Sequence, residues 1–84
     1  MNTTRIAFAL SQNELPPIEH LALIAISDSC DEFFSFDQAI AAICKATSIN
    51  ETDARAAVSN LYNNHLLDTV EGSIKNYFVM VYYG

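Results

Sequence analysis

The sequence predicts an α+β fold in which three amphipathic helices are followed by a C-terminal β-hairpin. Two observations carry this reading. Three segments repeat one apolar template, at i, i+3, i+4, i+7 and i+8, the spacing that buries one face of a helix. After Leu66 that period gives way to β-branched and aromatic residues, interrupted by the turn-like stretch "EGSIK".

Taken in order, the N-terminal "RIAFAL" alternates Ile6, Phe8 and Leu10 with Ala7 and Ala9, which suits a strand or a short helix. Residues 1–14 accordingly read as an N-terminal strand or arm. The first helical template is Ile18, Leu21, Ala22, Ala25 and Ile26, opened by Pro16-Pro17, a favoured helix start. Leu23 and Ile24 widen its apolar face, so it is expected to be the central, most buried helix. The second is Phe36, Ala39, Ile40, Ile43 and Cys44, with Ser35 as N-cap. The third is Ala54, Ala57, Val58, Leu61 and Tyr62, with Asn50 as N-cap and Glu51 and Asp53 facing the positive end of the helix dipole. Residues 15–65 form the expected three-helix core. "LLDTV" (66–70) and "NYFVMVYY" (76–83) form the strands of a hairpin across 66–84. Helix, helix, helix, hairpin is the order of a winged helix, and 84 residues allow one such domain.

Composition narrows the function. Half the chain (51 %) is hydrophobic and only two residues are glycine, which is enough for a core without staples. With 17 % charged residues the chain is not a disordered acidic tail. The net charge of −6 is uneven: residues 1–40 hold six acids against Arg5, whereas residues 41–84 hold four acids against three cations. Cys30 and Cys44 make no disulfide framework, which points to a reducing compartment. "IAFAL" is too short for a signal-peptide core, and no stretch approaches the roughly 18 apolar residues of a membrane span. A cytoplasmic protein without membrane contact is expected.

Two stretches carry a family resemblance. "LPPIEHLALIAISDSCDE" (15–32) resembles the first helix of winged helix-turn-helix domains in phage and plasmid replication proteins and small transcription regulators. "TSINETDARAAVSNLYNNHLL" (47–67) is similar, without a gap, to the turn and third helix of that family, with Thr47, Ile49, Glu51, Ala57, Val58, Leu61, Leu66 and Leu67 on matching positions. The resemblance implies a helix-turn-helix regulator of phage or mobile-element type. The sequence departs from the pattern at Ser48 and His65, where the family has glycine. His65 would then need a left-handed backbone. The exposed face of the third helix offers Thr52, Asp53, Arg55, Ala56, Ser59, Asn60 and Asn63 where the family carries several Arg or Lys.

In the helix-turn-helix docking mode that helix would enter the major groove, with Arg55 able to pair guanine, Asn60 adenine, and Thr52 or Ser59 either bases or phosphates. Ala56 and Asn63 share the face, and Lys45 and Lys75 would flank it. Four cations in the chain, however, limit the salt slope to about −3.6 per monomer. The primary expectation is therefore a non-enzymatic protein that regulates or assembles nucleic-acid machinery through protein contacts, its partner being a nucleic-acid-binding protein. A dimeric, sequence-specific DNA-binding regulator is the alternative. Asp28, Asp31 and Glu32 form an acidic contact patch in this reading. Tyr77, Val79, Val81 and Tyr83 line a strand that is apolar on both faces, which predicts a homodimer interface. The spacing of Cys30, Cys44, His20 and His65 matches no zinc pattern, the calcium-loop glycine is missing, and no glycine-rich phosphate loop exists. No metal, cofactor or catalytic residue is expected.

Overall fold

The computed structural model describes residues 3–12, 14–69 and 77–79. In them the chain runs through helices α1 (Thr3–Ser11), α2 (Pro17–Ser29), α3 (Phe36–Ala46) and α4 (Glu51–Asn63), then strands β1 (Leu67–Thr69) and β2 (Tyr77–Val79).

α1 settles as a helix a segment whose pattern suited either a strand or a short helix. Phe8 and Ala9 are neighbours in sequence and both buried. A strand points adjacent side chains to opposite faces, so a surface strand would have left one of them outside. A helix puts residues 5, 8, 9 and 12 on one face, and Ala7 and Ala9 are strong helix formers. That face lies on α2.

α2 touches each of the other three helices, as its wide apolar face led us to expect. Pro17 sits in its first turn, where a missing N–H costs nothing. Its buried residues are Ala22, Leu23, Ala25, Ile26 and Ser27. Ile18 and Leu21, assigned to the core by the template, are 42 % and 49 % exposed. The buried face is turned towards Leu23 and Ser27, because α2 is packed from several sides rather than along a single seam.

α3 and α4 follow their templates except at the outermost members: Phe36 and Cys44 are half-buried and Tyr62 is exposed. Ser35 and Gln38 form a reciprocal capping box on α3, whose Ala39, Ile40 and Ile43 are buried. At its far end the Thr47 hydroxyl donates to the Ile43 carbonyl (2.7 Å) and accepts from the Ile49 amide (3.0 Å), fixing the turn into α4. Asn50 caps α4 by accepting from the Asp53 amide at 2.8 Å. Ala54, Ala57, Val58 and Leu61 of α4 are buried.

α4 ends in a Schellman motif. The Leu66 amide donates to the Leu61 carbonyl (2.9 Å) and the His65 amide to that of Tyr62 (3.1 Å). His65 takes φ 63°, the left-handed conformation that its place in the sequence implied. Leu61 and Leu66 are both buried, which completes the hydrophobic contact usual for this motif.

β1 and β2 pair antiparallel, with Leu67 opposite Val79, Asp68 opposite Phe78 and Thr69 opposite Tyr77. Phe34, in the segment between α2 and α3, exchanges two backbone hydrogen bonds with Tyr77, at 2.9 and 2.7 Å. The α+β winged-helix fold is thereby corrected: the protein is a mostly helical globule of four helices with two three-residue strands, and no wing hairpin stands out among the described residues. The physical reason is that Leu67 and Val79 point into the helical core instead of extending a free ribbon, while the N-terminal segment adds a fourth helix. The turn at 71–75 and residues 80–84, to which the hairpin was also assigned, lie outside the described residues. Phe34, Leu23, Ile26, Ile43, Leu61, Leu67 and Val58 are the largest fully buried apolar side chains of the core.

Candidate interaction surface

The outer face of α4 holds the residues that the sequence reading put there. Thr52, Arg55, Ala56, Ser59, Asn60 and Asn63 are all exposed. Two of them are already engaged. Arg55 Nε lies 3.6 Å from Glu51 Oε2, one helical turn back, and its guanidinium carbon sits 5.9 Å from the centre of the Phe36 ring. Asn60 Nδ2 donates to Glu19 Oε1 at 2.9 Å, tying α4 to α2. Lys45 is exposed in the last turn of α3, beside a groove of about 510 Å³ that Cys30, Asp31, Phe34 and Gln38 also line. Lys75 lies outside the described residues.

Asp28, Asp31 and Glu32 are exposed at and after the C-terminal end of α2. That helix has no basic residue of its own in its last turn. Arg5 reaches over from α1 and donates to the carbonyls of Cys30 (2.6 Å) and Asp31 (2.9 Å). A cation is thus placed where the negative end of the α2 dipole needs one. The acidic patch therefore surrounds a positive anchor and keeps a net negative formal charge. Burial pushes the Cys30 thiol above its ordinary value, Arg5 pulls it back, and Asp31 adds to the rise. The thiol points to the Gln38 carbonyl, 3.9 Å away.

Of the strip assigned to a dimer interface, Tyr77 and Val79 are described, and both pack within the chain itself. Val79 is buried in the chain's own core. Tyr77 is half-buried among three rings: Phe34 at 6.4 Å, Phe36 at 6.3 Å and Tyr62 at 5.9 Å between centroids. Val81 and Tyr83 lie outside the described residues. Beside Tyr77 is a recess of about 220 Å³ lined by Phe36, Val58, Ser59, Tyr62, Asn63 and Tyr77. Sequence reasoning missed this cluster because Phe36 and Tyr62 were counted as core residues. The available signal was their position at the two ends of their templates, where a helix face begins to turn outward.

His20, one of the residues weighed as a metal ligand, serves the fold. His20 Nε2 lies 2.8 Å from the Ala9 carbonyl; a carbonyl only accepts, so this nitrogen carries the proton and holds the end of α1. Among the described residues no three His, Cys, Asp or Glu side chains converge as metal ligands, and no helix is long and apolar enough to cross a membrane. Comparison of the chain with family models, curated proteins and solved structures finds no match.

Proposed function

We propose that the protein is a non-catalytic interaction module that regulates or assembles nucleic-acid machinery by binding another protein, its acidic first half facing a basic partner. The observation that carries this reading is the state of α4. Arg55 is the helix's single cation, and it is paired with Glu51 and laid against Phe36. Asn60, the residue best suited to adenine, is bonded to Glu19. A base-reading helix needs such side chains at liberty to reach the groove, and needs phosphate contacts that an acidic face repels. The patch of Asp28, Asp31 and Glu32 instead favours a basic protein surface, where charge complementarity raises the association rate.

The test is a pair of NMR titrations of the ¹⁵N-labelled chain at low salt, one with random-sequence duplex DNA and one with a short Lys/Arg-rich peptide. The peptide should shift the amides of Asp28, Asp31 and Glu32, and reversing these three to lysine should abolish the shifts. The DNA should leave the spectrum in place. DNA-induced shifts clustered on Thr52, Arg55, Ser59 and Asn60, lost in Arg55→Ala, would make a DNA-reading helix the correct function.

A further inference from the structure

We infer that the recess between α3, α4 and β2 binds a methylated ammonium head carried on a side chain of the basic partner. The inference rests on the protein-contact reading above and names a second site through which the same partner would be recognised. Tyr77 is its central ring. Phe36 lies 6.3 Å away with its plane tilted by 50°, and Tyr62 lies 5.9 Å away at 82°. Rings inclined in this way offer π-density from more than one direction, the arrangement that attracts a compact cation. Val58 is 1 % exposed and closes the bottom, while the exposed Ser59, Tyr62 and Asn63 leave the mouth open to solvent.

Charge selects a cation over a neutral apolar group or a nucleic-acid base. The chain carries −6, which attracts the first and repels the phosphates attached to the last. The Phe36 ring already holds one cation, the Arg55 guanidinium at 5.9 Å. The lining then selects a methylated head over a bare one. Among the described residues it is lined by no carboxylate, and the polar groups there are the Ser59 and Asn63 side chains and the two tyrosine hydroxyls. A lysine ammonium brings three N–H donors and a guanidinium five, and each costs free energy where it faces a ring instead of water. A trimethylammonium has no donor to satisfy and keeps its charge.

The experiment is an NMR titration of the full chain with three short peptides that differ at one position. One carries trimethyl-lysine, one lysine, and one a neutral tert-butyl group of the same shape. Free tetramethylammonium ion forms a fourth arm. The trimethyl-lysine peptide should shift the amides of Ser59, Tyr62, Asn63 and Tyr77 and bind more tightly than the other three ligands. Tyr62→Ala, at a position 41 % exposed and so tolerant of change, should weaken it about fivefold or more, whereas Tyr62→Phe should retain it. Arg55→Ala should tighten it, because a competing cation is removed and Glu51 is freed. Equal binding of the tert-butyl peptide, or no shift at these amides with millimolar peptide, would overturn the proposal. Equal affinity for the free ion would overturn its partner-borne part. Thermal melts establish that each variant is folded. The acidic patch is read separately: shifts at Asp28, Asp31 and Glu32 with the Lys/Arg-rich peptide survive Tyr62→Ala, so either reading can fail alone.

Discussion

Ser27 is fully buried in α2, and its hydroxyl has no hydrogen-bond partner among the described residues. An unsatisfied buried hydroxyl costs about 1–3 kcal/mol, and alanine removes it while keeping the helix. Ser27→Ala should therefore stabilise the protein by about 1 kcal/mol, raising the melting temperature by roughly 4–8 °C. A lower melting temperature would show that the hydroxyl is satisfied. Nothing in the sequence marked this residue, because a serine late in a helix reads as part of its polar face. Position 27 became interior only when the buried face turned away from Ile18 and Leu21. His65 was legible for the opposite reason. The family resemblance puts it where a glycine stands after the third helix, and that position takes a left-handed backbone whatever the side chain.

At the scale of elements, that same residue makes the end of α4 a place where the chain departs from the ideal. A non-glycine residue in the left-handed region carries a cost of about 1–2 kcal/mol. Part of that cost is recovered in the unfolded state, where glycine has more freedom to lose. His65→Gly should raise stability by about 0.5–1 kcal/mol, and His65→Val, β-branched at φ 63°, should lower it. Urea midpoints of the two variants check the sign; equal midpoints would mean that the left-handed turn is not maintained. Helices α3 and α4 were legible because local chemistry fixes where each begins: Ser35 with Gln38, and Asn50 with the Asp53 amide. α1 was not. In a segment of six residues, the alternation of Ile6, Phe8 and Leu10 fits either period, and only docking against α2, with Arg5 bonded to the two carbonyls just beyond its end, decides the outcome.

For the whole molecule, stability rests on one core to which all four helices and both strands contribute. Val58 is 1 % exposed at its centre, whereas Asn63 is on the outer face of the same helix. Val58→Asp buries a carboxylate without a partner and should unfold the chain, a loss of several kcal/mol against a total of about 5–15. Asn63→Asp should stay within about 0.5 kcal/mol of the parent. Circular-dichroism melts separate them, and similar melting temperatures would contradict the register of α4. The fold class was less legible than its helices. The strand-rich composition after Leu66 foretold a hairpin, but Leu67 and Val79 spend their side chains on the helical core. The acidic patch was readable from charge alone. The aromatic recess was not, since Phe36, Tyr62 and Tyr77 come together only through tertiary packing.

The backbone exchange between Phe34 and Tyr77 joins segments separated by about half the chain. Closing so long a loop is an entropic cost that local helix formation does not meet, so this contact belongs to the late, non-local part of folding. It also sets what can come apart. Fraying of β2 releases the Phe34 and Tyr77 amides together, and with them the ring packing that shapes the recess. The last described strand and the segment between α2 and α3 therefore open as one unit, and a ligand held by that recess would slow amide exchange at both ends of the bridge.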